Sequence, residues 1–176
     1  KLPPAPMTKQ LFAGEINVTY GQFYVEPDDG DYVDMGSTLR GQSNGICGAT
    51  QAGRLFLITG THTGVVSVKI ELCEEAPELD DSWEEIVECP FAHKQSTLCL
   101  YEWAHEAQHL LELPPGAYRV RYSAKQMLAE WQLWQSNNGQ GPLQHYLLQF
   151  WPADYSKDQI IRVSGECARH WHSSVG

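Results

Sequence analysis

The sequence feature that most constrains the fold is the segment 110–122, where apolar and polar residues alternate on both sides of a proline-rich turn. Successive side chains of a strand point to opposite faces of the sheet, so a period of two is typical of a half-buried strand. Pro114 and Pro115 lack a backbone N–H, and Gly116 tolerates positive φ, so these residues predict a chain reversal and a β-hairpin. The residues predicted to point into the core are Leu111, Leu113, Tyr118, Val120 and Tyr122, with Arg119 and Arg121 facing solvent.

The same alternation recurs along the chain and predicts an all-β protein of about nine or ten strands. Residues 54–72 predict a second hairpin, and a parity change at Gly21 predicts a bulge or tight bend. Residues 124–134 have the apolar spacing of a helix, and the tail 165–176 is interpreted as a short helical turn. We therefore expect an antiparallel two-sheet β-sandwich with at most one or two short helices, and a barrel is the alternative.

Length and composition favour a single domain over residues 1–176. The hydrophobic share of 42%, with six Trp and eight Tyr, is that of an ordinary globular chain. No apolar run approaches the ~18 residues of a membrane span, so no membrane association is expected. Met7 resembles a native start, so residues 1–7 are interpreted as an expression remnant or as disordered.

Cysteine usage predicts a reducing compartment. The chain has five cysteines, an odd number, with no CxxC pair and no signal-like apolar run at the beginning of the sequence. This pattern favours free thiols and a cytoplasmic location. The cysteines are Cys47, Cys73, Cys89, Cys99 and Cys167.

Acidic residues are clustered, and the formal net charge is -10. Two windows, 26–34 and 71–88, hold 14 of the 22 acidic residues and contain no Lys or Arg. Such clusters repel nucleic acid and attract basic proteins, although a solubilising surface is the simpler interpretation. We predict a partner-binding surface in the second window, with a Trp side chain as aromatic anchor. Its residues are Glu74, Glu75, Glu78, Asp80, Asp81, Trp83, Glu84 and Glu85.

Catalytic and metal-binding patterns are weak. Ser43 lacks the GxSxG spacing of a nucleophile elbow. A histidine pair four residues apart in a strand is separated by ~13 Å, and the acidic loop lacks EF-hand spacing. We therefore expect no catalytic residue, metal or cofactor. The groups considered as metal ligands are His105 with His109, His170 with His172, and Asp28 with Asp29 and Asp31.

Several strand segments together resemble a known family. They include INVTYGQFYV at 16–25, LFLITGTHTGVVSVKIEL at 55–72, IVECPF at 86–91, LLELPPGAYRVRY at 110–122 and HYLLQFWPA at 145–153. These segments are similar to the competence protein J family, inhibitors of the DNA-entry nuclease of bacterial competence. The resemblance implies a β-rich fold, a bacterial origin and a nuclease-inhibitor role.

The sequence thus predicts a non-enzymatic, acidic protein-binding module that inhibits, or confers immunity to, a nuclease or another basic protein. The first alternative is a β-sandwich that binds a small ligand, with Trp131, Trp134 and Trp151 lining a pocket. The second is an acid-rich, metal-dependent hydrolase. The oligomeric state is left open.

Overall fold

The computed structural model describes residues 1–32, 34–95 and 97–175 and is mostly β-structure. In this part of the chain there are eleven strands in two sheets, three α-helices and one 3₁₀ turn. The strands are β1 (Thr8–Val18), β2 (Gln22–Pro27), β3 (Cys47–Gly48), β4 (Leu55–Ile58), β5 (Gly64–Cys73), β6 (Glu85–His93), β7 (Leu98–Tyr101), β8 (Gln108–Leu111), β9 (Gly116–Lys125), β10 (His145–Pro152) and β11 (Gln159–Arg162). The helices are α1 (Met35–Leu39), α2 (Glu130–Asn137) and α3 (Glu166–Ser173), and the 3₁₀ turn spans Trp103–His105. None of these helices has the length and hydropathy that a membrane span requires.

The larger sheet has the strand order β1-β5-β10-β9-β6-β11, and the smaller sheet has the order β3-β4-β2-β7-β8. Neighbouring strands in the described sheets are antiparallel except for β5 and β10, which run parallel. The expectation of a wholly antiparallel arrangement is therefore wrong at this pair. β5 ends at Cys73 and β10 begins at His145, so no short turn joins these two strands. A long connection allows a parallel pair as well as an antiparallel one.

Aromatic side chains from both sheets meet in one hydrophobic core. Phe23 on β2 lies 6.2 Å from the Tyr122 ring on β9 and 6.4 Å from the Tyr146 ring on β10, measured between ring centroids. The Tyr122 hydroxyl donates to the carbonyl of Ile58 on β4 at 2.8 Å, so a hydrogen bond also joins the two sheets. Buried phenols need such partners, because an unpaired hydroxyl in the core is costly.

Neither predicted hairpin forms, because each turn carries the chain from one sheet to the other. β8 pairs with β7 in the smaller sheet, whereas β9 pairs with β6 and β10 in the larger sheet. β4 and β5 are divided between the sheets in the same way. The predicted core side chains are nevertheless all buried: Leu111, Leu113, Tyr118, Val120 and Tyr122.

The helix predictions are partly wrong. Residues 124 and 125 extend β9, and α2 begins only at Glu130, because the buried strand outcompetes the local helix propensity of this segment. The described residues form three α-helices rather than one or two, and the tail forms the two-turn helix α3. The bend at Gly21 is confirmed: Tyr20 and Gly21 have φ values of 58° and 63°, and an isolated antiparallel bridge between Thr19 and Gln22 closes this tight turn.

Arg119 and Arg121 do not face solvent as expected. They lie on the face of β9 opposite the core, yet each is only 5% exposed. Both guanidinium groups contact Glu88 on β6, and other segments of the chain cover them. This face of the larger sheet is therefore partly buried.

We expect Val120→Ala to lower the free energy of unfolding by about 1–3 kcal/mol, because it removes fully buried methyl groups and leaves a cavity. Chemical denaturation measures the change. The matched control is Val65→Ala on β5, which removes the same atoms from a residue that is 44% exposed. An equal loss in both variants would contradict the assignment of Val120 to the core.

Candidate functional site

The predicted acidic surface lies on a segment that we call the acidic crossover, residues 74–84. It connects β5 to β6, and these strands are separated in the larger sheet by β10 and β9. The chain must therefore cross the outer face of two strands to continue. This topology places a run of acidic residues across the centre of the sheet.

Two arginines hold the backbone of the acidic crossover. Arg121 on β9 donates from Nη1 to the carbonyl of Pro77 at 2.8 Å. Arg162 on β11 donates from Nη1 to the carbonyl of Trp83 at 2.7 Å and from Nη2 to the carboxylate of Asp81 at 3.1 Å. Hydrogen bonds from guanidinium groups are among the stronger ones in proteins. The crossover is thus fixed by cations that lie under its backbone, although the segment itself contains none.

Apart from Asp81, the acidic side chains of the crossover take no part in its anchoring by the two arginines. The exposed carboxylates belong to Glu74, Glu75, Glu78, Asp80, Asp81 and Glu84. Among the described residues, Asp81 is the one member of this set with an ion pair. Its partner is Arg162, and the Asp81 side chain is still 97% exposed. Hydrogen bonds from the hydroxyl and backbone N–H of Ser82 hold the pKa of Asp80 below its ordinary value, so this carboxylate stays charged.

Two members of the predicted surface are placed differently. The Trp83 side chain is only partly exposed, because the Lys125 ammonium lies 4.3 Å from its ring centroid in a cation–π contact. Glu85 is 2% exposed and accepts hydrogen bonds from the backbone N–H groups of Ser164 at 2.6 Å and Gly165 at 2.9 Å. Including Glu85 in a partner-facing surface is therefore wrong. Its carboxylate joins β6 to the beginning of α3, and burial raises its pKa.

We expect Glu85→Ala to lower the free energy of unfolding by about 1–3 kcal/mol, because two backbone N–H groups lose their acceptor. Urea denaturation at pH 7 measures the loss. Glu78→Ala is the control, since its side chain is exposed and its removal is expected to cost less than about 0.5 kcal/mol. Equal stability of the two variants would contradict the anchoring role of Glu85.

The first acidic window, residues 26–34, has one buried acid, and contacts within the protein partly neutralise its charge. Glu26 is fully buried and contacts Nη1 of Arg54 at 3.4 Å and the Nε2 atom of His105. Burial raises the pKa of Glu26, and the contacts with the histidine and arginine oppose that rise. Arg54 also pairs with Asp29, and the hydroxyl of Tyr101 donates to Asp28 at 2.8 Å. Much of the charge in this window is therefore neutralised within the protein.

The residues considered as metal ligands do not converge. Among the described residues, no group of three or more His, Cys, Asp or Glu side chains has the arrangement of a metal site. His105 stacks on Tyr101 with ring centroids 4.0 Å apart, whereas His109 on β8 packs against Phe12. His170 and His172 lie on α3, and the Nδ1 atom of His172 accepts a hydrogen bond from the N–H of Gly45 at 2.9 Å.

Ser43 lies in the loop before β3, where its backbone N–H donates to the buried carboxylate of Asp158. The same carboxylate accepts hydrogen bonds from the backbone and side chain of Asn44. Asp158 thus fixes this loop, and the contacts of the segment are structural.

An aromatic cleft of about 470 Å³ lies between the turn at Gly21 and the helices α2 and α3, and the sequence predicted only part of its lining. Two of the tryptophans proposed for a pocket, Trp131 and Trp134, line it. Trp151 does not, because it lies on the outer face of the larger sheet, with the Arg121 guanidinium 5.2 Å from its ring centroid. In the sequence, the aromatic residues at 131, 134 and 171 were the signal that could have predicted the cleft.

All five cysteines are free and buried. Burial raises the pKa of Cys167, which lines the cleft, to about 11. A thiol with so high a pKa carries little thiolate at neutral pH and reacts slowly.

We expect five reactive thiols after denaturation without reductant and slow labelling of all five in the folded protein. Dithionitrobenzoate absorbance measures both. Exposure to solvent, rather than the number of cysteines, should limit the reaction in the native state. A count of three or one under denaturing conditions would contradict the prediction of free thiols.

Comparison with known proteins identifies the fold. No protein-family model matches the chain, and no curated protein matches it. The structure is similar to the crystal structure of ComJ, inhibitor of the DNA degrading activity of NucA, from Bacillus subtilis, with 18% sequence identity and a TM-score of 0.54 over 84% of this chain and 99% of that chain. It is also similar to the protein described as crocagin biosynthetic gene J, with 13% identity and a TM-score of 0.50 over 86% of this chain and 100% of that chain. The resemblance to the competence protein J family is thus confirmed as a structural likeness to ComJ.

Proposed function

We propose that this protein is a non-enzymatic, acidic β-sandwich module that binds a basic protein, and that this partner is a nuclease which it inhibits. The observation that carries the proposal is the acidic crossover, which displays six exposed carboxylates on a backbone held by Arg121 and Arg162. Clustered like charges repel one another, and a cationic partner relieves that repulsion.

Charge complementarity explains why a nuclease suits this surface. A nuclease binds the phosphates of its substrate in a cationic groove. Carboxylates on a rigid protein surface can occupy that groove in place of phosphates, and they raise the rate of encounter at low salt. Because hydrogen bonds from Arg121 and Arg162 already order the crossover, little conformational entropy is lost on binding.

The comparison with ComJ supports the same proposal. ComJ inhibits the DNA degrading activity of NucA, and nearly all of its chain is matched by the fold of the present protein. A β-scaffold of this kind therefore supports nuclease inhibition in one known case. For the present chain we further propose a cytoplasmic location, in keeping with its five free thiols.

The small-ligand alternative has one observation in its favour, which is the aromatic cleft with its volume in the usual range for ligand sites. The hydrolase alternative has no such support in the described residues, since none of its predicted ligands form a cluster. Protein binding therefore remains the first proposal.

Capture from a lysate of the source cells tests the proposed function. We expect immobilised protein to retain a basic protein with DNA degrading activity at low salt and to release it at high salt, because screening weakens the attraction between exposed charges. Adding the free protein to the released fraction should suppress DNA degradation. Absence of any salt-sensitive nuclease, or undiminished degradation, would contradict the proposal.

The acidic crossover itself is tested by the triple variant Glu75→Gln, Glu78→Gln and Asp80→Asn. We expect its association rate with the captured partner to fall about tenfold at low salt, with a smaller effect at high salt. Stopped-flow fluorescence measures the rate. Unfolding free energy should stay within about 1 kcal/mol of the wild type, as is usual for surface substitutions.

The matched control changes three exposed carboxylates outside the crossover by Glu15→Gln, Glu106→Gln and Glu112→Gln. Both triple variants remove the same net charge. A difference between their association rates therefore shows that the position of the removed carboxylates matters. If the two variants slow association equally, the crossover acts through overall charge and is not the binding surface.

A further inference from the structure

The aromatic cleft has a lining suited to a positively charged group. Its walls combine aromatic and imidazole rings from four parts of the chain. Trp134 is 61% exposed and Tyr20 is 59% exposed, so ring faces are accessible from solvent. The rings that line the cleft are those of Tyr20, His62, Trp131, Trp134, His170 and Trp171.

Close backbone approaches hold these walls in place. Gly139 has φ of +80°, and a Cβ atom there would lie 2.7 Å from the Trp134 ring, so the indole rests directly on this glycine. A Cβ atom on Gly60 would lie 2.5 Å from the carbonyl of Leu128, so the strand end at Gly60 packs tightly beneath the segment that leads into α2. This close packing restricts the movement of the Trp134 ring and of the cleft floor at Gly60.

Charge in the cleft favours a cation. Among the described residues that line it there is no Lys or Arg, whereas Glu130, at the beginning of α2, contributes an exposed carboxylate. The face of an aromatic ring carries partial negative charge, and Trp provides the most favourable face for a cation. The formal net charge of -10 adds to this preference.

The cleft is joined to the acidic crossover by hydrogen bonds. Glu84, at the end of the crossover, accepts a hydrogen bond from the N–H of Gln126 at 2.7 Å, and the chain continues from there into α2. The neighbouring Glu85 accepts from the N–H groups of Ser164 and Gly165, which lead into α3. The two segments that wall the cleft are thus both tied to the C-terminal end of the crossover.

We propose that the cleft receives the guanidinium group of an arginine side chain from the basic protein partner. This inference rests on the proposed function and adds the residue type that the partner inserts. Arginine is favoured over lysine because its planar guanidinium stacks on aromatic faces while donating to a carboxylate such as Glu130. Buried arginine and tryptophan side chains are also frequent in the energetically dominant centres of interfaces.

The first experiment uses the protein alone. Indole N–H signals of ¹⁵N-labelled protein are followed by NMR during titration with N-acetyl-L-arginine amide and, separately, with N-acetyl-L-citrulline amide, its uncharged isostere. Measurement at pH 8 keeps imidazole groups largely neutral. We expect the arginine probe to shift the signals of Trp131, Trp134 and Trp171 with an affinity about fivefold or more above that of citrulline.

Variants locate the binding. Trp134→Leu should abolish the difference between the probes, and Glu130→Gln should weaken the arginine probe about two- to fivefold, as expected for a lost exposed charge contact. Both positions are exposed, so the fold should be retained. Glu78→Gln removes an exposed carboxylate that does not line the cleft and should leave the titration unchanged. Equal binding of arginine and citrulline, or an unaltered titration in Trp134→Leu, would overturn the proposal.

A second experiment separates a partner arginine from a free cationic ligand. With the captured partner, Trp134→Leu should speed dissociation about fivefold or more while leaving the salt dependence of association unchanged, because a stacked anchor acts after encounter. Unchanged dissociation despite probe binding would assign the cleft to a free cation and overturn the partner-arginine proposal. Failure here leaves the triple-variant result on the acidic crossover standing, so the two proposals fail separately.

Discussion

The structure depends on the hydrogen bonds and the counter-charge of one buried guanidinium group, that of Arg121 on the outer face of the larger sheet. Arg121 is 5% exposed, and a buried charge is stable only with a counter-charge and filled hydrogen bonds. Glu88 on the adjacent strand provides the counter-charge at 2.9 Å, and the carbonyl of Pro77 provides a further acceptor. Because that carbonyl belongs to the acidic crossover, the interaction that satisfies the arginine also fixes the segment that displays the acids.

Acidic residues have four different roles in this protein. Glu88 neutralises a buried arginine, whereas Glu85 accepts backbone N–H groups at the beginning of α3. Glu26 is enclosed with Arg54 and His105. Burial raises the pKa of Glu26 and of Glu85. The acids of the crossover, by contrast, form a cluster at the surface, where a partner can reach them.

The two proposed recognition elements complement each other physically. Exposed carboxylates act at long range and raise the rate at which a basic partner arrives. An aromatic cleft acts at contact and determines how long the partner stays. Both elements are held by packing and hydrogen bonds that exist before binding, and such preorganisation lowers the entropic cost of association.

The sequence by itself determined which apolar side chains on either side of the 114–116 turn are buried. Alternation along a strand is a local property, so Val120 and Tyr122 could be assigned to the core from their spacing alone. The resemblance also predicted the fold that is shared with ComJ. Only the tertiary structure decided how strands pair, because a turn such as Pro114–Gly116 looks the same whether it joins neighbours or crosses between sheets. The burial of Arg121 and Glu85 and the assembly of the cleft around Trp134 were likewise decided by contacts between residues distant in sequence, to which local periodicity is blind.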